Sequence, residues 1–185
     1  MNRSILARIG LATALGASAL AVATTAGPAL ADGSPVSDDH SRDGAGRQMA
    51  ELKRALKPYE DVAVAMADGF VPVSECTESP EGGMGVHFMN FARAAQPVDP
   101  ERPSMLLYGP EPDGSMTLLG AEWFQPDADQ NLATDGDRPT LWGRPFDGPM
   151  PGHSPEMPVH YDLHVWLFDN NPAGVFAPWN TSVSC

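Results

Sequence analysis

The side chains best placed to do chemistry lie in Pro158–Phe168, where His160, Asp162 and His164 stand two apart and Trp166 and Phe168 continue the series. Imidazole and carboxylate suit zinc, copper, nickel or iron, or a metal-free acid–base pair. Spacing decides which of them can share an ion. On a strand His160 and His164 would lie about 13 Å apart, at roughly 3.3 Å per residue, too far for one ion; on a helix they would be one turn apart. The helical case lacks the glutamate of the zincin pattern, because Tyr161 fills its place. On a strand, His164 therefore needs Asp162 or partners from other strands. The candidates are His87, in the apolar run Met84–Asn90, and Glu122, between Ala121 and Trp123. Together with His160 these form the candidate metal ligands, and Tyr161, Asp162 and Trp166 are candidates for contact with a small polar ligand. A carboxylate set among Leu118, Leu119, Trp123 and Phe124 must face water or find a partner, since burying it alone costs several kcal/mol. The rival reading of Glu122 is thus a structural Glu–His pair with His87 or His164.

The elements that would carry these residues are mostly strands. Val159, Tyr161, Val165, Trp166 and Phe168 favour a pleated strand, and Pro158 suits its entry. Alternation puts Val159, Tyr161, Leu163, Val165 and Leu167 on a core face. His160, Asp162, His164, Trp166 and Phe168 fall on the other, a mixture of aromatic and ionisable groups expected of a cavity wall. Upstream, Met49, Leu52 and Leu56 recur at helical spacing from Arg47. Pro58 opens a second helical piece, and Gly69 ends the apolar stripe of Tyr59, Val62, Ala63 and Met66. Short strands are expected at Phe70–Ser74, Met84–Asn90 and Thr140–Trp142. Met105–Tyr108 and Met116–Phe124 flank Pro112-Asp113-Gly114 as a hairpin. Gln125–Pro139 reads as an acidic loop, and Pro145–Pro158 as too rich in proline and glycine for regular structure. Nothing alternates as βαβ. The predicted fold class is α+β, a mainly antiparallel β-sheet, open or curled into a barrel, with an N-terminal helical layer.

Residues 1 to 31 have the pattern of a secretory signal: Arg3 and Arg8, an apolar stretch from Ile9 to Val22, and Ala29-Leu30-Ala31 before Asp32. Residues 32 to 46, polar and aperiodic, are expected to form a flexible leader that includes His40, and 47 to 185 a single globular domain. Loss of the two signal arginines lowers the 11 Lys and Arg to 9 against 24 Asp and Glu, so the formal charge of −13 becomes −15. Such a surface argues against nucleic acid or anionic lipid as a partner and permits cations. No membrane span is expected after cleavage. Cys76 and Cys185 predict one disulfide, because free thiols or a metal-bound cysteine fit poorly with export. Closing a loop of about 110 residues is worth roughly 4 to 5 kcal/mol in the chain-entropy account. Asp127-x-Asp129-x-Asn131 resembles a calcium loop, but Leu132 and Arg138 occupy the positions that need glycine and an acid. Phosphate-loop and nucleophile-elbow patterns are missing, and a Cys76–Cys185 bridge leaves no nucleophilic thiol.

Several blocks carry a resemblance. Tyr59-x-Asp61-Val62-Ala63-x-Ala65-x-Ala67-Asp68-Gly69-Phe70, Gly83-Met84-Gly85-Val86-His87-Phe88 and Leu119-Gly120-Ala121-Glu122-Trp123-Phe124 are three. The end of the chain, Tyr161-x-Leu163-His164-x-Trp166, Asn171-Pro172-x-Gly174-x-Phe176 and Val183-Ser184-Cys185, supplies the rest. Together they resemble a family of exported bacterial proteins, largely actinobacterial, that has no assigned activity. The resemblance implies export and one compact domain, and no mechanism.

The functional expectation is an exported small binding protein that holds a transition metal or a small polar ligand in a strand-lined His/Glu cavity. The alternatives are a metal-dependent enzyme using the same residues and a non-catalytic envelope protein. An exposed aromatic patch of Trp142, Phe146 and Trp179 would favour the last.

Overall fold

In the computed structural model the backbone is described from Asp38 and the side chains from Gly44, in both cases to Cys185. The signal sequence expected at 1–31, the first part of the leader and the His40 side chain lie outside the described residues.

Helix α1 spans Asp38–Leu56 and begins before the apolar periodicity does. The stretch to Gly46 expected as an irregular leader is therefore helical from Asp38, an acidic start of the kind that favours a helix N-terminus. A 3-10 turn, Lys57–Glu60, takes Pro58 in its first positions. Helix α2, Val62–Ala67, is capped by the Asp61 carboxylate, which accepts from the Ala63 N–H at 2.9 Å. Gly69, at φ +91°, reverses the chain after it. Then come β1 (Val71–Pro72), β2 (Thr77–Ser79), β3 (Gly82–Met89), the short α3 (Phe91–Ala94), β4 (Met105–Pro110) and β5 (Met116–Pro126). They are followed by β6 (Thr140–Leu141), β7 (Arg144–Pro145), β8 (Asp147–Met150) and β9 (His160–Trp166).

The main sheet is antiparallel, in the order β1-β3-β4-β5-β9-β8, with β2 paired to β3 off this path, and it stays open. One segment expected to be irregular joins it: Asp147–Met150 pairs with β9 through Asp147↔Asp162 and Met150↔His160 around an irregularity. Backbone pairing along β9 recruits β8 although its Gly148-Pro149 centre has little strand propensity.

Both faces of the sheet are covered. On one, Val86, Phe88, Leu106, Tyr108, Trp123, Leu163 and Val165 pack against Leu52 and Leu56 of α1, Ala65 of α2 and Phe70. Burial of each of those two leucines is worth about 2 kcal/mol. Leu141 and Phe146 join this core, and Trp142 stacks edge-on against Trp123 at 5.4 Å. With Phe146 1 % exposed and Trp142 and Trp179 half-buried, the three do not form an exposed aromatic patch.

The other face is built differently. Leu107, Leu119, Trp166 and Val183 cluster at one end, Met89, Met105 and Phe124 at the other, and ionisable side chains fill the space between. The expected alternation of β9 holds from His160 to Trp166, but Phe168, expected on this face, packs against the first core instead, because the strand ends at Trp166. In β5 the pairing with β4 slips by one residue. Tyr108 faces Leu118 and Leu107 faces Gly120, so Leu119 is an extra residue. Such a bulge places two consecutive residues of one strand against a single partner.

The C-terminal tail closes this second face. Gly83 and Asn180 exchange backbone hydrogen bonds at 3.0 Å each way, and Val183 enters the Leu107–Trp166 cluster. A Cβ on Gly83 would come within 2.8 Å of Val183, so glycine there allows the tail its close approach. The Cys76–Cys185 disulfide fastens the end.

Candidate metal centre

Three strands deliver the ionisable group. His87 comes from the last part of β3, Glu122 from β5 beyond the bulge, and His164 from β9, where it lies directly across from Glu122. One ligating atom from each can be chosen so that all three lie within 4.8 Å of one another. His87 Nε2 is 3.3 Å from Glu122 Oε2, and His164 Nε2 is 3.5 Å from the same oxygen. The side chains of Glu122 and His164 are 4 % and 1 % exposed, that of His87 13 %, so His87 marks the solvent edge.

These separations are long for charge-assisted hydrogen bonds, which run at about 2.7–2.9 Å. Among the described residues six buried side-chain polar atoms have no hydrogen-bond partner, and four of them belong here: Glu122 Oε2, both ring nitrogens of His164, and Asp162 Oδ1. Buried polar atoms are rarely left in that state, and here each faces another member of the cluster at 3.3–3.6 Å. Four ligands held about 2.1 Å from a tetrahedral ion stand about 3.4 Å apart along each edge, and the two measured spacings straddle that value. A buried His/Glu/His group of this geometry could hold a metal ion.

The neighbours orient the ligands. The Ser74 hydroxyl lies 3.1 Å from His87 Nδ1 and accepts from the His87 backbone N–H at 3.0 Å, leaving Nε2 directed at Glu122. Asp162 Oδ1 lies 3.6 Å from His164 Nδ1, the arrangement in which a carboxylate turns a histidine's other nitrogen toward a metal.

Electrostatics follows from burial and from these neighbours. Burial, helped by the adjacent His164, pushes His87 down to about 3, so it is neutral and carries a free lone pair at physiological pH. Burial lifts Glu122 to about 8, with Asp162 adding to the rise and His164 opposing it. For His164 burial works against the charged form, yet Glu122 and Asp162 outweigh it and raise the group to about 9. Asp162 is likewise penalised by burial but held below the ordinary carboxylate range by His164 and His160. Both Glu122 and His164 thus favour their protonated forms at neutral pH, so a cation bound there would release protons.

The remaining candidates fall into place around the trio. His160 shares the face but lies outside the close group of three. The ring stacks on Phe124 at 4.9 Å, Nδ1 lies 3.1 Å from the Pro158 carbonyl, and Nε2 is 3.9 Å from Asp162 Oδ2. Trp166 is walled in by Leu107, Leu119 and Val183 and donates its indole N–H to the Ala177 carbonyl at 2.7 Å. Tyr161 projects to the opposite face, where its hydroxyl donates to Asp137 at 2.9 Å. In the acidic loop Asp127 is buried, not solvated, and its carboxylate accepts the N–H groups of Asp129 and Asn131. Ser74 was not singled out by the sequence, since a lone serine between β1 and β2 carries no signal of its own.

Comparison with protein-family models, with curated proteins and with solved structures returns no match for this chain.

Proposed function

We propose that this is an exported binding protein that holds one transition-metal ion between His87, Glu122 and His164. The observation that carries the reading is the unpartnered Glu122 Oε2, set 3.3 Å from His87 Nε2 and 3.5 Å from the equally unpartnered His164 Nε2, both near the length of a tetrahedral edge. Asp162 and Ser74 act as supports that fix the two imidazoles. Zinc, copper, nickel and iron all accept such a donor set. Export is supported by the resemblance drawn from the sequence and by a disulfide, and no helix among the described residues is long and apolar enough to cross a membrane. Binding is preferred to catalysis because turnover also needs a substrate-sized opening onto the metal. The surface hollows beside Ala128–Asp137 and between Arg47–Lys57 and Phe168 lie away from the trio.

The test is metal content of protein purified from the exported fraction, with His164→Ala and Glu122→Ala beside it. Near-stoichiometric metal in the wild type, absent from both variants, is the expected result and identifies the ion. A metal-free wild type that gains no thermal stability from zinc, copper, nickel or iron would overturn the proposal and leave Glu122 as a structural partner of the histidines.

A further inference from the structure

Of the four adjacent strands that the trio spans, β4 contributes nothing to it. Because β4 lies between β3 and β5, the backbones of His87 and Glu122 are roughly 10 Å apart, twice the strand spacing. Their side chains meet at 3.3 Å only by leaning over β4. Register names the two β4 residues beneath that meeting: Leu107, across from His87, and Met105, across from Glu122. Leucine offers no lone pair, whereas Met105 offers a thioether sulfur. Directly opposed residues stand with Cβ atoms about 4.5–5.5 Å apart on one face of a sheet, within reach of a long side chain. Met105 is 2 % exposed and packs with Met89 and Phe124 on the face that carries the trio. Met89 lies across from Met105 in turn, so Met89, Met105, Glu122 and His164 form an unbroken row across the sheet. The trio itself is one donor short of a tetrahedron. Among the described residues no fourth histidine, cysteine or carboxylate joins the group within 4.8 Å, and both cysteines are spent in the disulfide.

We propose that the Met105 sulfur is the fourth ligand and that the ion is copper, held as copper(I) by His87, Glu122, His164 and Met105. This rests on the metal-binding reading above and narrows it from a choice of ions to one. A thioether is a soft, uncharged donor, so it favours the soft monovalent ion over the harder divalent zinc, nickel and iron. The buried pair Met105 and Met89 puts polarisable sulfur, not water, on the sheet side of the ion, while His87 remains the edge nearest to solvent. A site closed by a fourth protein donor suits binding without turnover, because a catalytic metal keeps a position for water or substrate.

The experiment is an anaerobic titration of the metal-free full chain with copper(I) against a colorimetric copper(I) chelator, beside a titration with Co2+, for the wild type, Met105→Leu and Met89→Leu. Leucine keeps the volume and apolarity of the core, a swap that folded proteins tolerate. Met105→Leu is expected to lose copper(I) affinity by about tenfold or more, at least what removing an outer-shell support costs. It should also lose the copper–sulfur shell seen by X-ray absorption, keep its Co2+ affinity, and differ in all of this from Met89→Leu, which should match the wild type. An unchanged copper(I) affinity in Met105→Leu would overturn the assignment and put water in the fourth position. Equal losses for copper(I) and Co2+ would also overturn it, making Met105 a packing support of the trio. A wild type that takes up Co2+ but not copper(I) would overturn the choice of copper and leave the metal centre standing. One that takes up neither would remove the metal-binding reading itself.

Discussion

At the scale of single residues the most informative side chain is Glu122. It sits 3 % exposed with an oxygen bonded to nothing, a configuration that costs stability unless an ion compensates. Glu122→Gln is therefore expected to unfold, metal-free, at the same or a higher urea midpoint than the metal-free wild type, by about 1 kcal/mol. The same change abolishes metal retention. A loss of about 3 kcal/mol in the metal-free comparison would instead identify a true buried ion pair. Tyr108 gives a test in the first core, remote from the ligands. It is fully buried, and its hydroxyl donates to the Tyr59 carbonyl at 2.6 Å. Burial, with Tyr59 and Asp61 nearby, raises its ionisation above the ordinary 10.0. A raised folded-state value contributes stability that is complete below pH 10 and lost as pH climbs toward the folded value. Urea midpoints measured from about pH 9 to 11 should fall in the wild type and fall less steeply in Tyr108→Phe, which starts about 1 kcal/mol lower for the missing hydrogen bond.

At the scale of elements the tail and the strand beneath it act as one unit. Replacing both cysteines by serine is expected to cost about 2 to 5 kcal/mol and to raise amide exchange in residues 175–185 first, a pattern that hydrogen-exchange mass spectrometry resolves. Gly83→Val should displace the same tail with the disulfide intact, because its side chain would occupy the space of Val183. What the sequence could and could not say is clearest among the strands. β9 was legible because its β-branched and aromatic residues alternate with polar ones, and the β4–β5 hairpin because Pro112-Asp113-Gly114 announces its turn. β8 was not, since it owes its pairing to β9 and not to its own residues. The three residues of the proposed site were each conspicuous as polar groups in apolar runs. Their meeting was not readable, because it depends on the non-local pairing of β5 with β9 and on β4 lying between β3 and β5. Alternation did place Tyr161 on the core face, where it lies, and so spoke against it as a ligand-binding residue, but it could not separate the part of Asp162 from that of His164; only register and twist decide which side chains converge.

At the scale of the whole molecule, metal occupancy should appear as global stability, since the ligands tie together strands from both halves of the sheet. At a metal concentration about a hundredfold above Kd the gain is about 2.7 kcal/mol, or roughly 5 to 10 °C in the thermal midpoint. Calorimetry of the protein before and after chelation measures it directly, and no shift on removing bound metal would show that the ion contributes nothing to the fold. The bulge at Leu119 adds a constraint of another kind. On the turn side of it Leu118 belongs to the helix-covered core; on the far side Ala121 and Trp123 do, and Glu122 faces away. The hairpin changes phase within a single strand. Pairing Leu119 regularly with Leu107, without the bulge, would instead carry Glu122 beneath the helices and bring Trp123 out among the histidines. The meeting of Glu122 with the histidines thus rests on one surplus residue being accommodated as a bulge, and a chain lacking Leu119 should keep the same three side chains together on a straighter hairpin.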